Sequence, residues 1–254
     1  MRCRQQNHGH PWATQVIGKN LLAAALCVAA QPSFATCRQA LVLGLDVSGS
    51  VDDREYILQT QGLAQALTSP DVASTFLAMP DAWVDLAIFE WSGQYSQTMI
   101  QPWTTIRSEA DLLQVAQRLQ SHKKSLTDLT TAIGAAMRFA QDLLAQKPKC
   151  WQATFDISGD GKSNNGPRPQ DVRGQMPGTI VNALVVGASP LRGVAGDDDT
   201  AALTAYFTAY VIDPDQGFIE TARGFDDYQA AMERKLVKEL QVIAIGALDA
   251  DQYI

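Results

Sequence analysis

Residues 40–45 read ALVLGL, an apolar run with no polar residue at alternate positions. A strand with one wet face alternates apolar and polar side chains; a strand covered on both faces does not. The run therefore predicts a fully buried strand. Further strands are expected at residues 83–89, 98–103, 151–157 and 179–186, with an edge strand at 216–222. Helical periodicity falls between them, at residues 52–67, 108–119, 132–146, 203–211 and 225–243. Asp52 and Asp53 suit the dipole at the start of the first helix, and Ser108-Glu109-Ala110-Asp111 is an N-cap signal for the second. Strands separated by helices imply an α/β, Rossmann-like open sheet, mainly parallel, with helices on both faces. The turn at Ser92-Gly93-Gln94 makes the second and third strands a hairpin, hence one antiparallel strand. Residues 162–178 and 187–200 are expected as long loops, the second a solvated acidic one through Asp197, Asp198 and Asp199.

The first 35 residues read differently. Arg2, Arg4 and Lys19 stand without an acid, residues 21–30 (LLAAALCVAA) are apolar, and Ser33-Phe34-Ala35 offers small residues before a cut. This is the pattern of a secretory signal peptide, and ten apolar residues are too few for a stable membrane span. Residues 36–254 are then expected as a single exported domain, periplasmic or secreted. Loss of Arg2, Arg4 and Lys19 takes the formal charge from −7 to −10, which argues against nucleic acid as a partner. Cys37 and Cys150 are the cysteines outside the leader, and two cysteines in an exported chain suggest one disulfide.

The buried strand ends in Asp46-Val47-Ser48-Gly49-Ser50, a carboxylate and two hydroxyls at alternate positions. In an open α/β sheet, ligands bind beyond the carboxyl ends of the strands. Asp160 follows the strand at 151–157, and Thr127, Thr130 and Thr131 precede the third helix. Clustered carboxylate and hydroxyl oxygens suit a hard divalent cation.

These residues resemble the metal-ion-dependent adhesion site of the von Willebrand factor A family. Asp46, Ser48 and Ser50 match its Asp-x-Ser-x-Ser loop, and Asp160, within Ser158-Gly159-Asp160-Gly161, matches its later Asp. Thr131 fits the family's threonine by its spacing to Ala136 and Met137, with Thr130 and Thr127 as alternatives. The resemblance runs over residues 40–240. More narrowly, the chain resembles the exported DUF1194 family through Asp46 to Asp52, Phe89-Glu90-Trp91-Ser92-Gly93, Asp156 to Gly161 and Gly224-Phe225-Asp226-Asp227. That family brings no assigned activity. The adhesion-site resemblance implies a non-enzymatic module that holds Mg²⁺, with Ca²⁺ or Mn²⁺ as substitutes, and takes a carboxylate from a partner protein at the open position. It also makes the strands after Cys37 and Cys150 parallel neighbours, which puts both cysteines at adjacent strand ends opposite the cation, in position for the disulfide.

Two other readings compete. A haloacid-dehalogenase-type phosphatase also begins with a strand ending in Asp, but it needs an acid two residues later, where Ser48 stands. A metal-free scaffold would use Ser48 and Ser50 only as helix caps. His122, in His122-Lys123-Lys124, is expected on the solvated surface, and there is no Gly-x-Ser-x-Gly elbow. Glu90, Trp91 and Ser92 leave a strand near the same rim, with Trp91 either a partner contact or an edge-of-core aromatic. Asn164 and Asn165 shape the loop after Asp160. Asp156, inside an apolar strand, needs a buried partner.

Overall fold

The computed structural model describes residues 35–125, 128–187 and 196–250. Residues 1–34 of the expected leader and Thr127 lie outside the described residues. The strands are β1 (Thr36–Asp46), β2 (Ala82–Trp91), β3 (Gln97–Ile106), β4 (Gln152–Gly159), β5 (Thr179–Val186) and β6 (Ile219–Ala222). They form one sheet of order β3-β2-β1-β4-β5-β6, parallel except for the β2–β3 hairpin. This is the expected open α/β architecture, with β1 at its centre.

The unbroken apolar run of β1 is explained by its two covered faces. Leu41, Leu43 and Leu45 point into a core closed by α1 (Asp53–Thr68), α2 (Pro70–Phe76), α3 (Glu109–Ser121) and α7 (Tyr228–Ala250). Ala40 and Val42 point into the opposite core, closed by α4 (Ile133–Leu144), α5 (Pro169–Arg173) and α6 (Gly196–Tyr210). Helix starts follow the sequence signals. Asp52 caps α1 in a reciprocal box with Glu55, and the Ser108 side chain accepts from the Asp111 amide ahead of α3.

Several features depart from the expectations. The loop expected at residues 162–178 contains α5, and the last residues of the expected acidic loop fall within α6, which starts at Gly196. Helix α2 is a short one opened by Pro70 at its first turn. His122 is mostly covered rather than solvated, its Nε2 3.4 Å from the buried Glu90 carboxylate.

Asp156 on β4 finds its partner across the sheet face on α7. The Lys235 ammonium lies 2.5 Å from Asp156 Oδ2 and 3.4 Å from Glu239 Oε2, and all three side chains are buried. Gln39 on β1 donates to Glu239 at 3.3 Å and to Thr154 at 2.9 Å. Burial pushes both carboxyls up and Lys235 opposes it in each; Glu239 is raised to about 7. Two acids face one base, so a proton shared between Asp156 and Glu239 brings the triad to neutrality.

At the amino ends of β1 and β4, Cys37 and Cys150 form the expected disulfide, with a Cα–Cα distance of 4.5 Å and 113 residues between them. Asp85 lies within 4.8 Å of both sulfurs. With the sulfurs joined to each other and Asp85 paired to Lys147 at 2.8 Å, this group is structural and not a second cation site.

Candidate metal centre

The strand order places a topological switch point between β1 and β4, where connections leave in opposite directions along the sheet. Asp46 ends β1, and Asp160 directly follows β4. Parallel pairing through Leu45 and Ser158 brings the two strand ends level.

The Asp46 side chain is buried. Its Oδ1 accepts the Ser48 amide at 2.8 Å, whereas Oδ2 is buried without a hydrogen-bond partner. Its backbone carbonyl accepts from Gln59 on α1 at 2.9 Å, which fixes the end of the strand. The Ser48 and Ser50 hydroxyls are 3.3 Å apart, and Ser50 donates to Asp160 Oδ1 at 2.6 Å. One tight turn thus gathers three of the five expected residues against a fourth. Gly49 makes the turn possible: its amide donates to the Leu129 carbonyl at 3.0 Å, and a Cβ there would sit 2.9 Å from that oxygen.

The fifth residue comes from the loop ahead of α4. Thr131 is buried, and its hydroxyl would lie 3.8 Å from a Cβ on Gly161, the residue after Asp160. Asn164 holds Thr131 at both ends of its peptide unit. The Thr131 amide donates to Asn164 Oδ1, and the Asn164 amide donates back to the Thr131 carbonyl, each at 2.8 Å. The Thr130 hydroxyl is engaged differently, accepting from Asn165 Nδ2 at 2.8 Å. The two asparagines therefore shape the loop, as expected.

The electrostatics are those of a site short of positive charge. Burial first, then the nearby Asp160 carboxylate, push the Asp46 carboxyl up to about 7, against hydrogen bonding from Ser48 and from the Asp160 backbone. Two close carboxylates, one with an unsatisfied buried oxygen, and a set of neutral hydroxyls fit a divalent cation: it supplies the missing charge and the missing partner at once. Soft ligands are absent from this group of five, which favours a hard ion.

Neighbouring residues hold this arrangement rather than join it. Glu90 is buried and accepts from Ser125 N at 2.9 Å and Tyr56 Oη at 3.2 Å. Trp91 is fully buried, which settles its place as a core aromatic and not a partner contact. The Ser92 carbonyl accepts the Ala132 amide at 2.7 Å, tying the β2–β3 turn to the start of α4. Sequence reasoning missed Gln59. It donates to the Asp46 carbonyl and accepts from Ser158, which in turn receives the Tyr228 hydroxyl of α7 at 3.1 Å. The only signal was a glutamine on the apolar side of an amphipathic helix.

Comparison with known proteins gives a family and a fold. Residues 36–244 match the model of DUF1194, a protein family of unknown function. No curated protein matches the sequence. Among solved structures, proximal thread matrix protein 1 from the mussel byssus, with a zinc-occupied MIDAS motif, superposes with a TM-score of 0.55 at 15% identity. The match covers 82% of this chain and 49% of that one, so this chain spans about half of that protein. The pilus adhesin SpaC of Lactobacillus rhamnosus GG gives 0.56 at 14% identity over 82% of this chain and 31% of its own. A von Willebrand factor type A protein from Catenulispora acidiphila gives 0.50 at 13% identity, covering 80% and 43%. The shared feature is the von Willebrand factor A fold.

Proposed function

The chain belongs to the DUF1194 family, and from that premise we propose that it is an exported, non-enzymatic binding module that engages a partner protein through a divalent cation. The observation that carries this reading is the buried Asp46 Oδ2, left without a hydrogen-bond donor beside the Asp160 carboxylate and three hydroxyls. Asp46, Ser48, Ser50, Thr131 and Asp160 are the residues that would hold the ion. Thr131 is preferred to Thr130 because the Thr130 hydroxyl is already committed to Asn165.

Bound Mg²⁺, or Ca²⁺ or Mn²⁺ in its place, would supply an electrophilic centre with a position open to an outside oxygen ligand. The chain's own residues do the rest. Asp46 and Asp160 give the site its negative charge. The hydroxyls add donors without adding charge, so an anionic group on a partner remains welcome. The Ser48 amide and the Gln59 amide fix Asp46 from two sides, so the carboxylate needs little rearrangement on binding. A carboxylate side chain of a partner protein suits that open position. Nothing in the group moves a proton to or from a substrate: Ser48 stands two residues after Asp46, where a phosphatase of the competing type places its acid. The relatives of the same fold include a byssus matrix protein and a pilus adhesin, which supports a binding role outside the cell. So do the leader pattern and the Cys37–Cys150 bond.

Calorimetric titration of the protein with Mg²⁺, Ca²⁺ and Mn²⁺ tests the reading. Binding in the millimolar range or tighter that disappears in Asp46→Ala is expected. A wild-type protein that takes up none of the three ions rules it out. Metal-dependent phosphatase turnover lost in the same variant would return the choice to an enzyme.

A further inference from the structure

Leu129 and Tyr95 are the two most exposed large apolar side chains among the described residues, at 77% and 90%. They stand on two loops that border the proposed cation site. The Leu129 carbonyl accepts the amide of Gly49, inside the Asp46-x-Ser48-x-Ser50 turn, at 3.0 Å. Tyr95 lies in the β2–β3 turn, where Gly93 faces the Asp128 side chain and the Ser92 carbonyl holds Ala132. Leu129 is therefore carried on backbone hydrogen-bonded to the site itself, and Tyr95 on a turn tied to Ala132, the residue after Thr131.

On the α1 side of the site Arg54 and Asp226 are paired at the surface at 3.4 Å. On the side of Leu129 and Tyr95, Gly166, on which a Cβ would lie 3.6 Å from the Gln94 side chain, lines a cleft of about 600 Å³. Tyr206 and Tyr210 line that cleft, their ring centroids 5.2 Å apart. An ion held by hydroxyls and two carboxylates recognises an anion, but a single carboxylate contact selects no particular partner. Apolar and aromatic side chains at the edge of a polar contact are what add affinity and selectivity at protein interfaces.

We propose that Leu129 and Tyr95 form an apolar shoulder that receives bulky side chains flanking the partner's cation-binding carboxylate. The inference rests on the binding function proposed above and narrows its partner. The occupant is a protein segment in which Asp or Glu is next to aromatic or aliphatic residues, its apolar side turned toward the Tyr206–Tyr210 cleft. Charge complementarity selects the acid and the shoulder selects its neighbours. A phosphate, a nucleic acid or a plain acidic peptide meets the first requirement and leaves the second unmet.

Two biotinylated peptides on a streptavidin surface, Gly-Phe-Glu-Phe-Gly and Gly-Ser-Glu-Ser-Gly, test this with the Mn²⁺-loaded protein in biolayer interferometry. The Phe-flanked peptide is expected to bind at least tenfold more tightly, with both signals abolished by EDTA. Leu129→Ser and Tyr95→Ser should each erase most of that preference while Mn²⁺ affinity, measured separately by calorimetry, stays within twofold of wild type. Equal binding of the two peptides, binding of neither to the loaded protein, or a preference that survives both substitutions overturns the shoulder. Failure of the underlying cation reading looks different: the wild-type protein then takes up no Mn²⁺ in calorimetry.

Discussion

Replacing Glu239 with Gln removes one titrating group from the buried triad while nearly preserving its shape. In the wild type, burial, aided by Asp156 and opposed by Lys235, raises the Glu239 carboxyl from 4.5 to about 7. Between those values the folded protein holds a proton that the unfolded chain has released. Unfolding free energy therefore falls as pH rises: the contribution is complete below about 4.5 and is lost as pH passes through about 7. At about 1.4 kcal/mol per pH unit the gap is worth about 3 kcal/mol. In Glu239→Gln this loss is absent, and Asp156 keeps Lys235 as its partner in a one-to-one pair. Urea unfolding followed by circular dichroism, in EDTA, from pH 4.5 to 8, measures the difference between the two proteins. The variant should gain up to about 3 kcal/mol on the wild type across that range, whatever its stability at the acid end. Asp46 titrates in both proteins and cancels in the comparison, since the two sites share no partner. Parallel stability profiles would refute the proton-sharing triad.

The remaining predictions concern the site and its supports. With EDTA present, Asp46→Asn should abolish the part of the stability loss between about pH 4 and 7 that comes from the raised Asp46 carboxyl, and thermal shifts should show no response to millimolar Mg²⁺. In the wild type that same proton competes with the ion, so cation affinity should drop as pH falls below about 7, read by calorimetry. Thr131→Ala should weaken cation binding by about tenfold, whereas Thr130→Ala should leave the affinity alone and lose only its bond to Asn165, about 1 kcal/mol in chemical denaturation. Gly134→Ala puts a Cβ against the Pro167 carbonyl, which α4 approaches closely, and should destabilise by about 1–3 kcal/mol or more. Double replacement of Cys37 and Cys150 by Ser should cost at most about 4–5 kcal/mol, seen as a lowered melting temperature that dithiothreitol no longer changes.

The parts of the fold visible in the sequence are those whose local chemistry and burial agree. The β1 run showed both-face burial because every position in it is apolar, and the capping residues Asp52 and Ser108 marked helix starts that the structure repeats. Asp46, Ser48, Ser50 and Asp160 could be placed at or just after strand ends, and Thr131 or Thr130 ahead of a helix, because each follows or precedes a periodic element. Gln59, Lys235 and Glu239 were silent for the opposite reason. A polar residue on a mostly apolar helix face looks like a surface position until the element packed against it is known, and the partner of Lys235 is 79 residues away on β4. His122 misled in the same way, because its cover comes from Glu90 on a different element. Leu129 and Tyr95 carry no sequence signal: an exposed leucine and a buried one are the same letter. Only the bond from Gly49 to the Leu129 carbonyl, and that from Ala132 to the Ser92 carbonyl in the Tyr95 turn, give them a direction.

The disulfide lies at the far end of the same two strands that end at Asp46 and Asp160. A slip of one residue between β1 and β4 would turn the side chains of the slipped strand to the other face, aim one acid away from the other and carry Thr154, Asp156 and Ser158 away from their buried partners. A covalent tie between Cys37 and Cys150 removes it, and does so in partly opened states as well as in the closed fold. A chain loosened by heat or acid therefore recloses in phase, with its two carboxylates again side by side.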